Sequence, residues 1–243
     1  MLGGGQGMGR QVSHALAQLG STVVVDIDQD RTAAVCAEIG HAATAEHVDA
    51  TDNADMAALA ERAGEVDGVV DVIGMARYGP LLDLTDDDWR WEEAIVLRHA
   101  VLAIRHFGAR LRDRGEGSIT FVSSVSGIGS SPAHAAYGVY KAALGSLVRS
   151  AAIALGPHDV RINAVAPGFV LTPRISEILD ADALEDIRTQ VPLRRVTMPA
   201  DVASALVFLV SNLARTGQVL VVDGGATGKY PYDMSGFRVG HPS

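Results

Sequence analysis

Tyr137 and Lys141 stand four residues apart in Ala136-Tyr137-Gly138-Val139-Tyr140-Lys141. On a helix that spacing puts both side chains on one face. A free phenol ionises near about pH 10 and is a poor acid–base catalyst at neutral pH. An ammonium about 4 Å away is worth roughly 4 kcal/mol at an effective dielectric near 20. That bounds the lowering at about three pKa units, enough to bring the phenol towards working pH. Ser124 lies thirteen residues before the tyrosine, just past the run Ser118-Ile119-Thr120-Phe121-Val122. A hydroxyl there sits at the carboxyl edge of a sheet, where it can hold a substrate carbonyl oxygen.

A second constellation opens the chain, Gly3-Gly4-Gly5-Gln6-Gly7-Met8-Gly9. Gly3, Gly7 and Gly9 are spaced G-x-x-x-G-x-G ahead of a helix predicted over Arg10 to Leu19. Such glycines let the backbone turn sharply and let phosphate oxygens approach the amides, while the helix start adds partial positive charge. Gly3, Gly7, Met8 and Gly9 are the candidate phosphate-loop residues. The following strand, Thr22 to Val25, ends in Asp26, about 17 positions after Gly9, which suits hydrogen bonds to a ribose 2′-hydroxyl. A carboxylate there repels a 2′-phosphate, and the loop holds no Lys or Arg. NAD is favoured and NADP stays possible, with Arg31 the main counter-argument. Asp28 competes as the ribose ligand; its other reading is a helix N-cap.

These residues need elements to position them. Apolar runs predict strands at Thr22–Val25, Asp67–Ile73, Ser118–Val122, Arg161–Val165 and Gln218–Val222, with a weaker one over Thr44–Val48. Helices are predicted near Asp30–Ile39, Trp89–Arg112 and Ala136–Leu155. Alternating β and α with continuously apolar strands implies a doubly wound parallel α/β sheet of Rossmann type, helices on both faces. Length and the lack of repeats or linkers suggest one domain over 1–243. The glycine loop begins with almost no strand before it. Either residues are missing ahead of Met1 or the first strand is truncated to Met1 and Leu2; the first is favoured, because a lost central strand leaves two neighbours unpaired.

The 243 residues are 48% apolar and 20% charged, with formal charge −9. That balance argues against nucleic acid as a partner. No apolar run reaches the ~18 residues needed to span a bilayer, and no secretory signal opens the chain, so no membrane role and a cytoplasmic location are expected. A lone cysteine, Cys36, excludes a disulfide framework and a multi-cysteine zinc site. The histidines lack metal-binding spacing, so no metal is expected. His99 and His106, two helical turns apart, are expected on a solvated or interface face. His134 is a candidate pocket residue. Asp86-Asp87-Asp88 reads as an acidic helix start.

Taken together, Gly3-x-x-x-Gly7-x-Gly9, Ser124, Tyr137-x-x-x-Lys141, Asn163-Ala164-Val165-Ala166-Pro167-Gly168 with Thr172, and Val222-Asp223-Gly224-Gly225 resemble the short-chain dehydrogenase/reductase family, from Leu2 to about Gly225. The resemblance implies sheet order 3-2-1-4-5-6-7 and nicotinamide-dependent hydride transfer to or from a small alcohol or carbonyl substrate. It implies that Tyr137 exchanges the proton, Ser124 orients the substrate oxygen, and Lys141 lowers the Tyr137 pKa and binds the nicotinamide ribose. It places Asp49 at adenine, Gly74 beside the adenosine ribose, and Pro167, Val170 and Thr172 at the carboxamide. A lid-like segment over about 173–199, with Arg174, Arg188, Arg194 and Arg195, and a homodimer or homotetramer are also implied. Three positions depart from the pattern: Asp71-Val72-Ile73-Gly74 replaces Asn-Asn-Ala-Gly, Val96 replaces an asparagine, and Leu2 replaces a threonine. The alternatives are an NADPH-dependent 3-oxoacyl thioester reductase and a degenerate, non-catalytic dinucleotide-binding protein.

Overall fold

The computed structural model of the chain describes residues 1–130 and 132–229. Within them, parallel strands alternate with helices: β1 Thr22–Asp26, β2 Ala43–His47, β3 Gly68–Asp71, β4 Gly117–Val122, β5 Val160–Pro167 and β6 Val219–Val222. β4 and β5 are buried almost end to end, as parallel strands covered on both faces must be. β1 pairs with β2, and β3, β4, β5 and β6 pair in that order.

Met1 and Leu2 join the two groups. Leu2 bridges Val25 on one side and Asp71 on the other. Its amide donates to Val70 O at 2.8 Å, its carbonyl accepts from Val72 N at 3.1 Å, and Met1 O accepts from Val25 N at 2.9 Å. Counting this short segment first, the order is 3-2-1-4-5-6-7. The two neighbours expected to be left unpaired are therefore bridged at their carboxyl ends, where the site lies.

Each face of the sheet has its own core. Helices over 86–114 and Ala135–Leu155 cover one face through Leu102, Phe107, Leu111, Phe121, Leu144 and Val148. Helices Gly7–Ala17 and Pro199–Ser211 cover the other through Val12, Val122, Val165, Val202 and Leu206. The Pro199–Ser211 helix escapes a periodicity reading because it is apolar nearly all round. The Asn53–Arg62 helix, also unforeseen, starts where Asp52 accepts from the amides of Ala54 and Asp55 at 2.7 and 2.9 Å.

The 86–114 helix is not regular. π turns at Ala94–Arg98 and Ile104–Gly108 interrupt it. Each such turn adds a residue and rotates the following face by about 100°. His99 is nonetheless fully buried rather than on a solvated or interface face, because it falls three residues after Val96 and four before Ala103 in one buried stripe. The lid-like segment contains two helices, Pro173–Ser176 and Ala181–Gln190. The tail with Tyr230, Tyr232 and Phe237, expected over a pocket or against a neighbouring subunit, lies outside the described residues.

Candidate active site

The glycine helix begins at Gly7, earlier than predicted, so the loop's own amides form its first turn. Gly3 (φ +73°) and Gly7 (φ +51°) hold left-handed backbone. A Cβ on Gly9 would lie 1.8 Å from Gly3 O, so that approach excludes any other residue. Gln6 provides no side-chain cap and the first turn holds no acidic residue. The positive helix end and its amides around Met8 are thus left for an anion.

Asp26 closes the loop from the end of β1. Its Oδ2 accepts from Gly5 N at 3.0 Å and its Oδ1 from Asp28 N at 3.2 Å. Asp28 takes the capping role: it accepts from Arg31 N at 3.1 Å and pairs with the Arg31 guanidinium at 3.0 Å. Arg31 is therefore paired with Asp28, although its Cβ and Asp26 Oδ2 both lie 2.9 Å from where a Cβ on Gly5 would stand. Asp49 follows β2 and accepts from Thr51 N and Thr51 Oγ1 at 2.8 and 2.7 Å. Pro167 ends β5 opposite Val222, and Val170 bridges Thr197. Thr172 Oγ1 accepts from Ile175 N, and a Cβ on Gly7 would lie 3.9 Å from Thr172 Cβ. The start of the lid-like segment thus meets the glycine loop across the carboxyl edge. Glycine cradle, uncapped helix end and strand-end carboxylate together fit a dinucleotide.

Ser124, Tyr137 and Lys141 converge on that edge. Ser124 follows β4, and its Oγ accepts from Ser126 N at 3.1 Å. The same side chain acts to lower the Tyr137 pKa. Lys141 Nζ donates to Val122 O at 2.7 Å and lies 5.5 Å from the Tyr137 ring centroid. Gly74 passes over the ammonium: a Cβ there would stand 2.9 Å from Nζ.

The electrostatics correct one expectation. Burial pushes the Tyr137 phenol up to about 12, against the lowering effect of Ser124. Burial also pulls Lys141 down to about 8, opposed by the charges of Asp71 and Glu92. Desolvation therefore outweighs the attraction expected between ammonium and phenolate. The cation donates to a carbonyl and feels the charges of two carboxylates.

The pairing of Asp71 with His99 and the burial of Glu92 are not readable from the motifs. Asp71 and His99 form a fully buried pair, Oδ2 to Nδ1 at 2.7 Å. Glu92 is completely buried on the 86–114 helix. Its signal was present, because it falls in phase with the buried stripe Val96, Ala100 and Ala103. His134 is half-buried between two phenols, its ring centroid 4.5 Å from Tyr78 and 5.9 Å from Tyr137. Burial lowers its pKa, and its Nε2 has no partner. It borders a cleft of about 190 Å³ shared with Ser126 and Gly138. Tyr140 instead packs edge-on against Trp89. Asp88 joins the capping box of the acidic helix start and is held near 2 by hydrogen bonds from Thr85 and Arg77. Cys36 is half-buried, and burial raises its pKa.

The comparisons with known proteins agree with this geometry. The family profile described as enoyl-(acyl carrier protein) reductase matches residues 3–227. The cis-4-hydroxycyclohexanecarboxylate dehydrogenase of Sinomonas cyclohexanicum is 34% identical, with 93% of this chain and 94% of that protein covered. The chain belongs to the short-chain dehydrogenase/reductase family. The L-rhamnose 1-dehydrogenase (NAD(P)(+)) of Azotobacter vinelandii is also 34% identical, with 92% of this chain and 93% of that protein covered. Among solved structures, a short-chain type dehydrogenase/reductase from Mycobacterium ulcerans superposes with a TM-score of 0.89 at 29% identity, covering 96% of this chain and 90% of that one. A 7α-hydroxysteroid dehydrogenase complexed with NADH and 7-oxo glycochenodeoxycholic acid gives a TM-score of 0.87 at 29% identity, covering 92% and 91%. This short-chain dehydrogenase/reductase is an NAD(P)-dependent oxidoreductase acting on alcohol or carbonyl groups of a small molecule. Among the described residues, no helix is long and apolar enough to cross a membrane.

Proposed function

We propose that this short-chain dehydrogenase/reductase prefers NAD and interconverts a secondary alcohol and its ketone, with Tyr137 as the acid/base. One observation carries the reading: Lys141 Nζ, donating to Val122 O at the end of the strand that Ser124 follows, lies 5.5 Å from the Tyr137 ring centroid and directly under Gly74, beside the glycine loop. A bound nicotinamide supplies a hydride donor or acceptor at that edge. Ser124 holds the substrate oxygen and stabilises the charge that develops on it. Tyr137 gives its proton to that oxygen in reduction and takes it back in oxidation. With its pKa raised to about 12, the phenol is fully protonated at neutral pH, which suits reduction. Lys141 holds the nicotinamide ribose and steadies phenolate charge as it forms.

Gly3, Gly7, Met8 and Gly9 hold the diphosphate, Asp26 the adenosine ribose, Asp49 the adenine, Gly74 the adjoining backbone, and Pro167, Val170 and Thr172 the carboxamide. The carboxylate of Asp26 on the Gly5 amide supports NAD over NADP. His134 and Tyr78 shape the substrate side. Arg174 reaches across to Met75, which supports a lid over about 173–199. Val139 and Ile153, exposed on the Ala135–Leu155 helix, support a homo-oligomer. The named relatives act on cyclic hydroxy compounds, so the first panel is cis-4-hydroxycyclohexanecarboxylate, L-rhamnose and a 7-oxo bile acid. Nicotinamide absorbance is followed with each cofactor. Turnover of a ring alcohol or ketone with NAD(H) is expected. A clear preference for NADPH and a 3-oxoacyl thioester would replace this reading.

A further inference from the structure

A guanidinium has N–H donors and no acceptor, and a thioether sulfur accepts from it only weakly. Arg174 stands two residues past Thr172, on the short helix Pro173–Ser176 that opens the lid-like segment. Its guanidinium reaches the sulfur of Met75. The lid's other arginines are committed to oxygen. Arg188 pairs with Glu185 at 3.5 Å, Arg194 donates to Thr189 O at 3.0 Å, and Arg195 grips Asp201 through both Nη atoms at 2.6 and 3.1 Å. Arg77, on the facing loop, pairs with Asp88 at 2.8 Å and stacks on the Trp91 ring. Arg174 differs from them: among the described residues, no carboxylate or carbonyl oxygen meets its charge.

Its place in the fold gives that charge a use. Met75 follows Gly74, which lies over Lys141, since a Cβ on Gly74 would stand 2.9 Å from Nζ. Thr172 faces the glycine loop, its Cβ 3.9 Å from where a Cβ on Gly7 would stand. The contact of Arg174 with Met75 therefore joins the two rims of the cleft beside Lys141. Three residues past Met75, the Tyr78 ring packs 4.5 Å from that of His134, which is 5.9 Å from Tyr137. The wall running from Met75 towards the phenol is thus aromatic. We propose that Arg174 is the specificity-determining residue for a substrate carboxylate: its guanidinium takes the acid group of a ring hydroxy acid or oxo acid whose reacting carbon lies at Ser124 and Tyr137. This rests on the reading of Ser124 and Tyr137 given above. Arginine matches a planar carboxylate fork to fork, which lysine does not. The acid displaces only the weak sulfur contact, so no protein ion pair breaks when it binds. Arg174 is exposed, so the pair formed at the rim is sensitive to salt.

An alcohol bound together with NADH cannot react, so binding is measured without turnover. Calorimetry on the full chain saturated with NADH compares cis-4-hydroxycyclohexanecarboxylate with its neutral carboxamide, in wild type, Arg174→Gln and Arg174→Lys. Arg174 is exposed, so neither substitution disturbs the core. Wild type should bind the carboxylate about thirtyfold more tightly than the carboxamide. Arg174→Gln should erase that difference by weakening the carboxylate alone. Arg174→Lys keeps the charge without the fork and should retain about a fivefold preference. The wild-type preference should shrink as salt rises. NADH affinity should stay within about twofold in both variants. A wild type that binds the two molecules equally, or binds neither, overturns the proposal. So does a glutamine variant whose NADH affinity falls as far as its carboxylate affinity, because the guanidinium then serves the cofactor's diphosphate. Neither ligand turns over here, so this test and the Tyr137→Phe test of the reading beneath it fail separately.

Discussion

Asp26→Asn tests the cofactor assignment at its most exposed point. The Asp26 carboxylate is fixed by the amides of Gly5 and Asp28 at 3.0 and 3.2 Å, so it does not swing away from a phosphate. A 2′-phosphate charge about 5 Å away would be repelled by roughly 3 kcal/mol at an effective dielectric near 20. Asp26 is half-buried, so solvent and salt cut this by about half. A phosphate carries nearly two charges, which brings the total back to about 3 kcal/mol. Asparagine keeps an acceptor for one amide and removes the repulsion. NADPH binding should tighten about 100-fold, while NADH should weaken about tenfold with the loss of charge-assisted hydrogen bonds to the ribose. Fluorescence titration of both reduced cofactors, at two salt concentrations, measures the ratio. The wild-type preference should shrink as salt rises. Equal affinities in wild type, or a ratio that moves less than about threefold in the variant, would refute the reasoning.

Tyr137→Phe should cut turnover by at least about a thousandfold while leaving NADH affinity within about threefold; retained turnover removes Tyr137 from the chemistry. Oxidation needs the phenol to lose its proton and reduction needs it present. With the phenol pushed up to about 12, kcat/KM for oxidation should rise about tenfold per pH unit through the neutral range while that for reduction stays flat. Stopped assays in both directions check this, and an oxidation limb that is flat near neutrality contradicts it. Gly9→Ala places a Cβ where Gly3 O stands, so the loop must open. Calorimetry should find NADH binding lost and the melting temperature lowered. Asp71→Ala leaves buried His99 without its partner, at a cost of about 3 kcal/mol and hence roughly 6–12 °C in Tm by differential scanning calorimetry.

Local patterns with a local cause were legible in the sequence. The glycine loop, Asp26, Ser124 and the Tyr137/Lys141 pair each sit at a strand end or on one helix face, and the parallel sheet brings its strand ends to one edge. Asp28 was equally readable, since a cap needs only its own helix. What failed was whatever depends on tertiary burial. His99 reads as surface-facing from its polar type and its spacing to His106, whereas its place in the apolar stripe of Val96, Ala100 and Ala103 buries it. Glu92 is hard to read because a glutamate in an apolar stripe is usually a misfit rather than a member. The phenol's pKa does not follow from pairwise Coulomb energy, because burial is the larger cause for both partners.

That dominance of burial changes where the site's tuning resides. A buried ammonium beside two carboxylates is set by its surroundings more than it sets the phenol. Asp71 is fixed by His99 and the Ile73 amide, and its charge is structural, joining β3 to the 86–114 helix across the core. Glu92 has one oxygen fixed by the Arg77 amide and one free, so it is the member whose protonation can change without breaking a protein contact. Neutralising it removes negative charge from Tyr137 and Lys141 together, which makes the phenol more acidic and the ammonium less basic at the same time.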